Sequence, residues 1–154
     1  MKKGLLILTA IVLMLSIIPV VVLAAPQPKD NPANDQGKNI YLYPKDTNWD
    51  PIFGGAWGKV SYGKNNVSFD GHNLEPGDCY WLIVYGPDWP DAECIGCGEV
   101  NNGGNIQIGG KVALEDGDKV WLVPCADVDC DAGEMIGWNP STYLFEHDEV
   151  GPKD

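Results

Sequence analysis

Apolar residues come along this chain in short bursts of two kinds. In the first kind they alternate with polar ones, as in Ala56 to Tyr62 (AWGKVSY) and at Ile106, Ile108, Val112 and Leu114 within Asn105 to Leu114. That period suits strands with one wet face. In the second kind they run on unbroken, as in Cys79 to Tyr85 (CYWLIVY) and Lys119 to Val123 (KVWLV). Such runs suit strands covered on both faces. Asn39 to Tyr43, Asn66 to Asp70, Glu99-Val100 and Thr142 to His147 complete the candidate strands. Turn signals separate them at Gly63-Lys64-Asn65, Glu75-Pro76-Gly77-Asp78, Asn101 to Gly104 and Asp116-Gly117. No window has the period of an amphipathic helix. Turns every ~8–12 residues predict an all-β domain, an antiparallel β-sandwich of immunoglobulin-like architecture with about eight short strands.

The two unbroken strands belong to a repeat. Leu74 to Val84 reads LEPGDCYWLIV, and Leu114 to Pro124 reads LEDGDKVWLVP; Leu, Glu, Gly, Asp, Trp and Leu recur at equal offsets. The register persists past the strand, where Asp91-Ala92 matches Asp131-Ala132. Each copy reads as a tight turn feeding a buried strand, with proline fixing φ and glycine taking positive φ in Pro76-Gly77. Two equivalent strands are expected, one to each sheet. If the copies are equivalent, the loops after Tyr85 and after Val123 meet at one end.

The N-terminus changes the compartment. Lys2 and Lys3 precede an apolar run from Gly4 to Leu23, and small residues follow at Ala24 and Ala25. This is the pattern of an export signal over residues 1–24, cleaved before Ala25 or Pro26. Uncleaved, the run of ~20 residues is long enough to anchor the chain in a bilayer. Either way the domain is expected to be secreted or at the extracellular face of the cell envelope. Residues 25–38, with PQPKDNPANDQGK over 26–38, lack the apolar side chains to fold and form a linker. Residues 39–154 form the domain. Asn66-Val67-Ser68 is a glycosylation sequon at a turn.

The net charge is −12, and all 10 basic residues are lysines. Without clustered Lys and Arg there is no surface to displace counterions, so nucleic acid is excluded as a partner. Anionic membrane surfaces are disfavoured, leaving an uncleaved N-terminal segment as the route to a bilayer.

The strings Tyr41-Leu42-Tyr43-Pro44-Lys45, GAWGKVSY, FDGHNLEPGD, GGNIQIGGKV and GWNPSTYLFEHD resemble a family of small secreted domains of archaeal cell-surface proteins. The resemblance runs from about Tyr41 to Val150. It implies a secreted β-rich domain and carries no catalytic residue over. The cysteines are outside the shared pattern.

Five cysteines in an exported chain point to disulfides with one thiol left over. Cys94 and Cys97 follow the first repeat strand, and Cys125 and Cys130 follow the second. These four are expected to staple the two loops, in any of the possible pairings. Cys79 aligns with Lys119, near solvent, and is expected to be the odd one. Zinc fits the spacings C-x₂-C and C-x₄-C poorly. A redox role for Cys94-Ile95-Gly96-Cys97 lacks the helix it needs.

The same loops hold acids. Asp127, Asp129, Asp131 and Glu134 form a D-x-D-x-D run with a following glutamate, a candidate calcium loop joined by Asp88, Asp91 and Glu93. It is not an EF-hand, since Ala132 and Trp138 stand where glycine and glutamate are required. Of six tryptophans, Trp81 and Trp121 read as packing. Trp49, Trp89 and Trp138 lie in loops beside Asp or Pro and are candidate ligand-binding residues.

His72 and His147 are the two histidines, and no nucleophile elbow, zincin or phosphate-cradling motif is present. The expected function is a non-catalytic cell-surface module with a structural or interaction role, with calcium as a candidate stabilising ion and a cell-surface protein or glycan as partner. A carbohydrate-binding module using the loop tryptophans is the alternative. A carboxylate-based hydrolase is the second alternative.

Overall fold

A computed structural model describes residues 38–147. The N-terminal run expected to be an export signal, most of the expected linker and the C-terminal residues lie outside the described residues. The strands are β1 (Lys38–Tyr43), β2 (Trp57–Tyr62), β3 (Val67–His72), β4 (Cys79–Tyr85), β5 (Ala92–Glu99), β6 (Ile106–Gly110), β7 (Lys119–Pro124) and β10 (Leu144–Glu146). Two short strands, β8 (Val128–Asp129) and β9 (Glu134–Met135), pair with each other in a segment between β7 and β10.

The fold is all-β, as expected, but its layering differs from two facing sheets. Eight strands hydrogen-bond into one antiparallel sheet in the order β5-β4-β7-β10-β1-β2-β3-β6. The sheet curls until it is nearly barrel-shaped. Its two edge strands, β5 and β6, come together where both are rich in glycine. A Cβ on Gly96 would lie 2.7 Å from the Gly109 carbonyl oxygen, so only glycine permits that approach.

Alternation decides what lies inside. Ile40 and Leu42, Val60, Phe69, Leu82, Leu122 and Leu144 point inward and form the main core. Their strand neighbours point outward. On β4, β7 and β10 those outward residues are Ile83, Trp121, Val123 and Phe145, and they are buried too. The segment after β7 folds back over them and contributes Val128, Met135 and Tyr143 to a second core on the outside of the sheet. The unbroken apolar runs of the two repeat strands follow from this double cover.

The repeat copies are hydrogen-bonded neighbours. β4 and β7 run antiparallel with Leu82 opposite Leu122, so equivalent leucines sit on a local two-fold. Both turns close alike: Asp78 N–H bonds Glu75 O at 3.3 Å and Asp118 N–H bonds Glu115 O at 3.2 Å, with Gly77 at φ 89° and Gly117 at φ 93°.

Antiparallel neighbours launch their loops from opposite ends, and this corrects the disulfide expectation. The start of β4 lies beside the end of β7, so Cys79 bonds Cys125 across a Cα–Cα distance of 5.4 Å. Cys94 on β5 bonds Cys130 in the returning segment at 5.7 Å. Cys97, not Cys79, is the exposed free thiol.

Candidate functional site

The returning segment, residues 125–143, brings the loops after β4 and β7 together despite their opposite launch points. Ala92 N–H bonds Gly133 O at 2.9 Å, and Met135 N–H bonds Pro90 O at 2.7 Å. The Cys94–Cys130 bond lies at the same junction. Trp89, in the β4–β5 loop, and Trp138, in the returning segment, are thereby placed 5.7 Å apart, ring to ring and edge-on.

The third loop tryptophan arrives from the β1–β2 loop. Asp46 Oδ1 accepts the N–H groups of Asn48 at 2.8 Å and Asp50 at 3.0 Å, and Lys45 bridges to Pro51. This tight turn holds Trp49 at φ 66°, a left-handed conformation that a bulky residue keeps only when its surroundings enforce it. Its ring lies 6.4 Å from Trp138 and 5.2 Å from Phe145. Lys45 Nζ sits 5.9 Å from the Trp49 ring centre, within cation–π range.

Trp138 is held from below. Tyr143 Oη donates to Asp127 Oδ2 at 2.8 Å, lies 3.2 Å from Gly137 O, and accepts the Asn139 N–H at 3.1 Å. The residues on both sides of Trp138 are thus tied to one buried hydroxyl. Burial pushes the Tyr143 phenol upward, reinforced by the Asp127 carboxylate, while the Asn139 N–H opposes the shift. The floor continues through Trp121, which touches Trp138 at 6.0 Å and stacks on Tyr85 at 4.1 Å. Trp121 is packing, as its strand position predicts.

Three loop tryptophans named from the sequence therefore meet in one cluster, and they are far from buried. Trp49 and Trp89 are each 52% exposed and Trp138 is 48% exposed. The remaining exposed large apolar side chains among the described residues are Ile52, Phe53 and Ile136. They flank the same tryptophans in sequence. Sequence reasoning missed these three, Lys45 and Glu146, because nothing in an isolated loop marks what it will fold against.

The acids behave differently. Asp129 Oδ1 accepts the N–H groups of Asp131 and Ala132 at 3.0 Å each, and Asp127 is engaged by Tyr143. Asp91 and Glu134 are joined through a backbone bridge. Among the described residues no three His, Cys, Asp or Glu side chains are placed to hold a metal ion. The Asp127 and Asp129 carboxylates thus hold the returning segment through these bonds.

Glu146, at the end of β10, is mostly buried, and burial raises its carboxyl above the ordinary range; its own backbone N–H, Lys45, the Trp121 N–H and Lys119 pull the other way. Glu146 Oε2 and Trp121 Nε1 are both buried, yet neither reaches a partner at hydrogen-bond geometry among the described residues. His72 Nδ1 is bonded to Asn105 Oδ1 at 2.9 Å, and the His147 ring packs edge-on against Tyr43 and Phe53. Asn66 of the sequon is exposed in the β2–β3 turn. The chain matches no protein-family model, no curated protein and no solved structure.

Proposed function

We propose that this domain is a non-catalytic extracellular binding module whose ligand face is the tryptophan cluster and whose ligand is a neutral saccharide. The observation that carries the reading is Trp138 in ring contact with both Trp49 and Trp89, each ring about half exposed. Contiguous exposed apolar surface on a soluble domain marks an interaction site. Aromatic faces carry negative quadrupole density, which attracts the C–H face of a sugar ring. Asp50, Asp88 and Asn139 lie next to the three tryptophans in sequence and offer polar groups for hydroxyls.

Charge narrows the choice. A net charge of −12 with no arginine repels anionic polymers and anionic lipid surfaces, and two copies of the chain repel each other. A neutral ligand escapes that penalty. Two disulfides and the basic-apolar N-terminus support an extracellular setting. For a non-catalytic role, both histidine rings are already engaged, His72 with the Asn105 amide and His147 in packing against Tyr43.

A glycan array probed with the disulfide-bonded domain tests the proposal. Reproducible binding to neutral glycans is expected, weakened at least about tenfold by Trp138→Ala in a correctly folded variant. Blank arrays combined with retention on phosphatidylcholine vesicles would replace the saccharide with a lipid surface.

A further inference from the structure

The outer wall of the sheet carries a second group of rings. Tyr41 on β1, Trp57 on β2 and His72 on β3 all point away from the core, since their neighbours Leu42, Gly58 and Gly71 are the inward, buried positions. Trp57 and His72 lie nearly parallel with ring centres 4.4 Å apart, and Tyr41 is 6.4 Å from Trp57. All three are partly exposed. His72 is fixed by Asn105, whose amide donates to Gly103 O at 3.0 Å. The rings are therefore held in place before any ligand arrives, which lowers the ordering cost of binding.

This group adjoins the tryptophan cluster at β1. Tyr41 and Tyr43 sit two residues apart on the same outer face. His147 links them: its N–H bonds Tyr41 O at 2.8 Å, while its ring packs on Tyr43 and on Phe53. The two ring groups lie over six adjacent strands, from β4 to β3; between them Trp121, Phe145 and Tyr43 are buried, and Phe53 and His147 are the exposed rings. At the usual strand spacing those strands span about 24 Å. Between and beside the rings the wall offers hydrogen-bonding groups, including Lys59 and the Asp70–Gln107 pair joined at 2.9 Å.

We propose that Tyr41, Trp57 and His72 form a second subsite, and that the ligand is an extended neutral oligosaccharide lying across the strands from the tryptophan cluster to this group. The inference rests on the saccharide reading of the cluster and adds chain length to it. A short sugar fills the tryptophan cluster alone. A longer chain reaches the second ring group as well, and the second contact forms at high effective concentration because the first already tethers it.

Titration calorimetry of the disulfide-bonded protein with cello- and manno-oligosaccharides, from the disaccharide to the hexasaccharide, tests this. In the wild type the affinity is expected to rise about tenfold or more with length. Trp57→Ala should abolish that rise while leaving the disaccharide affinity within about twofold, and Trp138→Ala should weaken every length. His72→Ala repeats the test should Trp57→Ala fail to fold. Equal affinity at all lengths, or an undiminished length dependence in both folded variants, overturns the second subsite and leaves the tryptophan cluster standing. No binding at any length overturns the saccharide reading and this inference with it.

Discussion

Glu146 is the side chain whose setting suits its charge least. Its carboxyl is mostly buried, one oxygen lacks a hydrogen-bond partner among the described residues, and burial outweighs the opposing pull of its own backbone N–H, Lys45, the Trp121 N–H and Lys119. A raised carboxyl value means that the folded state prefers the protonated form. The stability this contributes is complete below the unfolded value of 4.5 and is lost as pH rises through the higher folded value. Glu146→Gln removes the titration and retains the shape. The variant is expected to melt above the wild type at pH 7, with the gap closing toward pH 4. Thermal melts across that range check it; parallel curves for the two proteins would show that Glu146 is solvated as a charge in the fold. The gain is expected because residues at binding faces are commonly kept at some cost to stability.

Among elements, the returning segment of residues 125–143 organises the candidate site, and Tyr143 is its fastener. Its hydroxyl is shared by Asp127, Gly137 and Asn139. Tyr143→Phe keeps the buried ring but leaves the Asp127 carboxylate and the Asn139 N–H without that partner, a cost of about 1–3 kcal/mol. Far-ultraviolet dichroism should be unchanged because the sheet does not depend on the hydroxyl. Tryptophan emission should shift to the red as Trp138 loosens; unchanged emission would mean the segment is held by its disulfide and backbone bonds alone. Much at this scale could be read from the chain. Both LE-x-GD turns, the alternating β2 and the doubly covered β4 and β7 follow from turn chemistry and apolar spacing, which are local. The strand Ala92–Glu99 could not be read. Its acids, cysteines and glycines look like a loop, and it forms only because β4 offers it an edge. The cysteine pairing failed for the same reason: Cys79 and Cys125 are close only once β4 and β7 are known to be antiparallel neighbours. Trp49, Trp89 and Trp138 were legible as exposed loop residues, whereas their meeting depends on a chain reversal that no local signal records.

For the whole molecule, the covalent pattern makes the arrangement checkable without any ligand. The two bonds span 46 and 36 residues. Each removes about 4 kcal/mol of loop entropy from the unfolded chain on a simple chain-entropy account. That is a large share of the 5–15 kcal/mol typical of a domain's total stability. Their effects should differ in kind. Cys79–Cys125 ties β4 to the end of β7, strands that already pair along their length. Cys94–Cys130 ties β5 to the returning segment, whose own strands β8 and β9 are two residues each. Removing it should therefore loosen the ligand face before it loosens the sheet. The expected outcome is a domain with one thiol per chain that reacts with an alkylating agent under native conditions, mapping to Cys97. Cys94→Ser with Cys130→Ser should keep the sheet's dichroism at 25 °C while tryptophan emission moves to the red. Cys79→Ser with Cys125→Ser should lower the melting temperature and leave emission of the folded protein in place. Alkylation of Cys94 or Cys130 in the native wild type, or identical behaviour of the two double variants, would mean that the returning segment is fastened some other way. The meeting of Trp89 and Trp138 would then lose its covalent support.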